Sequence, residues 1–176
     1  MLAPLLIVSA KPTIYSLSIG AVISIVGLMI RAWASGFLRK NQELTTTGPY
    51  AHTRNPLYFG TFILGTGIAI SGGTLWFVAL FMALYLLIYV PVMYAEAETM
   101  RHLFADEYEH YSKQVPLFLP RLTPYRAPSK HQANATSESL IERRFDGSRY
   151  LKHREYRAAF GLLVVYALLA AKFLLV

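Results

Sequence analysis

Long uncharged stretches alternate along this chain with short polar punctuation, and the lengths of those stretches predict the fold. Pro12 to Ile30 carries no charge and is long enough for one membrane crossing. Arg31-Ala-Trp33 closes that span; the pair fits an interfacial anchor or a place in a site. Asn55 to Ala95 is also uncharged, and at about 1.5 Å per residue it makes roughly two crossings. Gly72-Gly73 marks the hairpin between them. The first of the two, to Ser71, is short and carries Gly60, Gly65 and Gly67, which favours close helix packing. The second runs from Thr74 to Ala95. Ala158 to Val176 is the last span, with Lys172 able to snorkel near its end. Met1 to Ala10 is apolar but too short to span, and Lys11-Pro12 interrupts it, so it reads as an interfacial lead-in rather than a signal peptide. The expected fold class is all-α, a polytopic membrane bundle of about four to five transmembrane helices. Both termini are expected on the outer side.

Between the first two uncharged stretches lies Leu44 to Gly60, the segment around which the rest is organised. Gly48-Pro49 reads as a turn. Asn55-Pro56 reads as a helix start, because Asn caps well and Pro is tolerated where an N–H has no intrahelical partner. Tyr50, His52, Arg54 and a free helix N-terminus are thereby expected at the bilayer edge. A helix N-terminus offers unpaired N–H donors and partial positive charge to an anion. The hairpin returns the chain to its starting side, so Arg54 and Glu96 are expected on the same face of the membrane.

From Glu96 the helix leaves the membrane and becomes amphipathic, with Glu96, Met100, Leu103, Phe104 and Tyr111 near one stripe. Glu98 lies about 200° round the helix and reads as solvated surface. Glu96 is a partly buried carboxylate at the membrane edge, a functional candidate unless it merely snorkels to water or pairs with Arg54 or Arg101. Val115 to Pro120 is expected to pack back over this helix. Arg121 to Tyr150 reads as a loop of low intrinsic order with a short helix around 138–145, and Tyr150 to Arg157 as a lipid-interface segment. One membrane domain is expected over residues 1–176, with a core over 31–120, a polar cytoplasmic segment over 121–157 and a final helix over 158–176.

Composition agrees: 176 residues, 55% hydrophobic and only 15% charged, is a small membrane protein's balance. The formal charge of +7 is topological rather than a nucleic-acid signal. Apart from Lys11, Arg31 and Lys172, all Lys and Arg fall in the two stretches 36–57 and 95–157, as do all acidic residues. The positive-inside rule makes both loops cytoplasmic and favours anionic headgroups there. Zero cysteines exclude disulfides and thiolate chemistry. The five His, at 52, 102, 110, 131 and 153, have no metal-pair spacing, and no Walker loop, HExxH or Ser-His-Asp setting is present.

The run Arg54-Asn-Pro-Leu-Tyr58-x-Gly60, preceded by Leu44-x-Thr46-x-Gly48-Pro-Tyr50, resembles the isoprenylcysteine carboxyl methyltransferase and phospholipid methyltransferase superfamily. Glu96, Phe104-Ala-Asp-Glu-Tyr108-x-x-Tyr111, Val115-Pro116 and Pro120 resemble its second signature, and Arg31-Ala-Trp-Ala34 with Leu38 its bacterial members. The resemblance implies an integral membrane enzyme of a bacterial or archaeal inner membrane. It implies S-adenosyl-L-methionine as cofactor, S-adenosyl-L-homocysteine as product, a cytoplasmic cofactor pocket, and an amphiphilic or lipid acceptor entering from the membrane. By the same resemblance Gln42, Glu43, Leu44, Thr45, Tyr50, Asn55, Pro56, Leu57, Tyr58 and Glu96 bind the cofactor, and Arg54 and Glu96 are the catalytic candidates. Asn55 stands where the family usually has His, and Ala97 where it has a second Glu. Val92 stands where prenylcysteine enzymes place an Arg against the substrate carboxylate, which argues against that acceptor. Two other classes stay open: an NADPH-dependent reductase of the sterol reductase type, which shares an Arg-x-Pro-x-Tyr segment, and a non-catalytic lipid-binding protein. Nothing in the chain points to nucleic acid or an obligate protein partner.

Overall fold

A computed structural model describes residues 9–38, 43–126, 146–147 and 155–175. Gln42, the 1–8 lead-in and the expected helix around 138–145 lie outside the described residues. Among the described residues the regular elements are all helical, and the chain is an integral membrane helix bundle. Three helices are long and apolar enough to cross a membrane: α1, Ile14–Phe37; α3, Leu75–Gln114; and α4, Tyr156–Leu175. The fourth, α2 (Pro56–Ser71), is a shorter apolar helix.

Thr13 starts α1 with a reciprocal capping box, its hydroxyl accepting from the Ser16 N–H while Ser16 Oγ accepts from the Thr13 N–H. The helix does not close at Arg31-Ala-Trp33 as expected; it continues about one more turn to Phe37. Arg31 can sit inside it because its charge is met within the protein, by Glu155, rather than by water. Glycines then let α1 and α2 approach backbone to backbone. A Cβ on Gly27 would lie 2.3 Å from Leu64 N, and one on Gly67 2.5 Å from Gly20 O. The expectation of close packing through small residues holds, and Ser24 Oγ adds a hydrogen bond across the crossing to Leu64 O at 3.1 Å.

The hairpin falls at Gly72-Gly73, where Gly73 takes φ +72. The returning α3 is 40 residues long and is interrupted at Ala105, with φ 35 and ψ −114, a break the apolar pattern does not announce. Beyond it Tyr108 and Tyr111 are both buried, while Leu103, expected on the same stripe, is 53% exposed. The 115–120 segment packs back on α3, with Val115 against Tyr108 and Tyr111, and also on the loop before α2 and on α2 itself. The Arg54 N–H donates to Pro116 O at 3.0 Å, and the Phe118 ring meets Phe59 and Phe62. Finally, the Tyr166 hydroxyl ties α4 to α1 and α2, 3.0 Å from Ser24 Oγ and 2.7 Å from Ser71 Oγ.

Candidate functional site

The turn at Gly48–Ala51 is a single 3-10 turn, with Gly48 at φ +59 against the Phe37 ring. It delivers Tyr50 to the interior, where the Tyr111 hydroxyl donates to the Tyr50 carbonyl at 2.6 Å. Two backbone bonds run alongside, from the Arg121 N–H to His52 O at 2.9 Å and from the Tyr125 N–H to Ala51 O at 2.8 Å. His52 Nδ1–H donates to Arg121 O at 2.8 Å, so this imidazole is a structural tie. Thr53 donates to Phe118 O at 2.8 Å and Asn55 Nδ2 to Leu117 O at 2.9 Å. Asn55 therefore holds the N-cap position of α2 without capping it by its side chain, contrary to the expected cap. Leu117 takes the amide that would otherwise turn to the helix.

The uncapped start of α2 opens onto a cleft of about 540 Å³. Arg54, Asn55, Pro56, Leu57 and Tyr58 line one side of it. Glu43, Leu44, Thr45, Tyr50 and Glu96 line it as well. All the sequence-predicted site residues among the described ones thus meet in a single cleft, although Glu43 and Glu96 are far apart in sequence. Tyr58 and Glu96 meet directly, the hydroxyl donating to Glu96 Oε1 at 2.8 Å, so the start of α2 and the middle of α3 lie at the same end of the bundle. Tyr85 fixes the base of Tyr58, donating to its carbonyl at 2.6 Å.

Two details differ from the sequence reading. Glu96 is exposed rather than partly buried, because the cleft stands open and lets its carboxylate reach water as well as Tyr58. Neither Arg54 nor Arg101 pairs with it: Arg101 takes Glu98 at 2.5 Å on the exposed face, and Arg54 Nη1 donates to the Tyr108 hydroxyl at 3.0 Å. The Arg54 Nε is buried in the cleft wall with no hydrogen-bond partner. Such a donor carries an unmet desolvation cost. Burial, with the Glu96 and Glu155 charges adding to it, holds the Tyr50 phenol far above its ordinary value; burial does the same to Tyr111. Both tyrosines are neutral donors at physiological pH, not bases.

Sequence reasoning missed Glu155. It is 7% exposed, lines the cleft, and clamps Arg31 bidentately, with Arg31 Nε 3.0 Å from Oε2 and Nη2 2.9 Å from Oε1. Arg31 also donates to Thr61 Oγ1 on α2. The available signal was a lone Arg within an apolar helix and a lone acid in the basic stretch before the last span. Among the described residues no group of three His, Cys, Asp or Glu is placed to hold a metal ion.

The phospholipid methyltransferase family model matches residues 7–107, which spans α1, α2 and α3 through Glu96 and the break at Ala105. The chain belongs to the phospholipid methyltransferase family. Among curated relatives, the nickel-cobalt-cadmium resistance protein NccN of Alcaligenes xylosoxydans xylosoxydans is 30% identical over 121 residues, covering 68% of this chain and 55% of that one. The cobalt-zinc-cadmium resistance protein CzcN of Cupriavidus metallidurans is 30% identical over 109 residues, covering 61% of this chain and 50% of the relative. The chain thus spans about half the length of these two relatives. No solved structure matches it. The matched segment takes in both Arg54 and Glu96, which line the cleft.

Proposed function

We propose that this chain transfers a methyl group from S-adenosyl-L-methionine to an amphiphilic or lipid acceptor that reaches the cleft from the bilayer. The observation that carries the reading is that one cleft gathers Arg54, the uncapped start of α2 and the Tyr58–Glu96 pair. An aminoacyl sulfonium carries a carboxylate, an ammonium and a positive sulfur, and the donor set fits each. Arg54 and the first N–H groups of α2 take the carboxylate. Glu96, oriented by Tyr58, takes a cation or a ribose hydroxyl. Tyr50 and Tyr58 offer ring faces to the positive sulfur. A cleft of about 540 Å³ lies within the ordinary range for ligands of this size.

When bound, the cofactor supplies an activated methyl group for in-line displacement by the acceptor's nucleophile. The chain itself has little proton transfer to perform. Its residues orient and hold: Leu44, Pro56, Leu57 and Met100 give the cleft apolar lining, and Arg54 and Glu96 fix the two charged ends. Asn55, committed to Leu117 O, positions the loop rather than relaying protons. The basic, positive-inside distribution supports a cytoplasmic cleft in a bacterial or archaeal inner membrane, with membrane lipids around the helices.

Calorimetry on detergent-purified protein with S-adenosyl-L-homocysteine and, separately, NADPH tests this. Saturable binding of the first alone supports methyl transfer, binding of NADPH alone supports a reductase, and binding of neither supports a lipid-binding role. Lipid extracts incubated with methyl-labelled donor and read by mass spectrometry then identify the acceptor.

A further inference from the structure

The family-matched segment ends at residue 107, yet an acid from far beyond it forms part of the cleft. Glu155 stands immediately before α4, where its carbonyl accepts from the Ala158 N–H at 3.0 Å, so its position is set by that helix. The helix in turn is fixed to α1 and α2 through Tyr166, Ser24 and Ser71. On the other side, Arg31 reaches Glu155 past Gly60: a Cβ there would lie 2.8 Å from Arg31 Cγ. The side chains are 21% and 8% exposed, so each charge is largely shielded from water and acts on the cleft at reduced screening.

We infer that the Arg31–Glu155 pair is a specificity-determining element of the cleft, in which Glu155 cancels the Arg31 charge and keeps the site hospitable to a cationic ligand. The inference rests on the methyl-donor reading. S-adenosyl-L-methionine carries one more positive charge than S-adenosyl-L-homocysteine, at the sulfur. An uncompensated Arg31 beside the cleft would repel the donor more than the product, and the enzyme would be held by its product. With Glu155 in place the pair is neutral and Arg54 is left to take the anionic end of the ligand.

The prediction concerns the ratio of the two dissociation constants, product over donor, measured by calorimetry on the full chain in detergent. Glu155→Gln leaves Arg31 unopposed and lowers the ratio by about threefold or more. Arg31→Gln leaves Glu155 unopposed and raises it by a similar factor. The double variant, neutral again and free of an unpaired buried charge, returns the ratio to the wild-type value, and whichever single variant folds decides the matter by its own shift. A pair that only braces α4 would weaken both ligands alike in both single variants. An unchanged ratio in the single variants, or a shifted one in the double, overturns the inference. Wild-type protein that binds neither ligand overturns the methyl-donor reading instead, so the two failures are told apart.

Discussion

Removing the Tyr58 hydroxyl from the Glu96 carboxylate probes the junction on which the cleft depends. The bond is 2.8 Å long and joins the first turn of α2 to α3, 38 residues away in sequence. A hydrogen bond to a charged acceptor is worth about 1.5–3 kcal/mol when shielded, but Glu96 is exposed, so about 1 kcal/mol is the appropriate figure. Tyr58→Phe keeps the ring against Tyr89, 5.3 Å between centroids, and should therefore weaken S-adenosyl-L-homocysteine binding about fivefold without unfolding the protein. Glu96→Ala removes both the acceptor and the carboxylate proposed to meet the ligand, and Tyr58→Ala removes both the donor and the ring; each should cost at least about 1.4 kcal/mol, a tenfold loss. Glu98→Ala, on the opposite face with Arg101 and His102, should leave affinity unchanged. The double variant Tyr58→Phe, Glu96→Ala should bind no more weakly than Glu96→Ala alone, because the hydroxyl has lost its partner. Equal losses at Glu96 and Glu98, or strict additivity in the double variant, would refute the reasoning.

Further consequences concern the scaffold. Gly67→Ala drives a Cβ to 2.5 Å from Gly20 O and should lower stability by about 1–3 kcal/mol, read as a fall in the thermal midpoint in detergent. Tyr166→Phe removes hydrogen bonds to Ser24 and Ser71 inside the bundle and should cost about 0.6–1.7 kcal/mol by the same measurement. Ala105→Gly relieves the positive φ and should be neutral or stabilising by up to about 1 kcal/mol, whereas Ala105→Val should destabilise. The Tyr50 and Tyr111 phenols keep their protons more tightly folded than unfolded, so their contribution is complete below about pH 10 and is lost as pH rises beyond it. Tyr111→Phe should flatten that alkaline decline while lowering stability at neutral pH, since it leaves the Tyr50 carbonyl without its 2.6 Å donor.

What the sequence made legible follows from how local each signal is. Pro56 at the first turn, the Gly72-Gly73 hairpin and the small-residue stripe on α2 are each written in a few adjacent residues, and each is where it should be. The meeting of Tyr58 with Glu96 was accessible by one further step, because a hairpin of two apolar helices must return its chain to the same side. The cap at Asn55 was misread because a good capping residue goes wherever its best acceptor lies, and Leu117 O is sixty-two positions on. The break at Ala105 had no signal at all: no Gly or Pro marks it. Arg31 and Glu155 are the sharpest case. Each alone looks like an interfacial residue, and 124 residues separate them. Their pairing is set by three packings at once: Gly60 clearing the path, Tyr166 fixing α4, and Thr61 holding the guanidinium. A charge buried in a membrane bundle demands a partner, so the Arg within α1 already implied an acid somewhere beyond it. The chain offered ten carboxylates, and only the packing of α4 selects Glu155 among them.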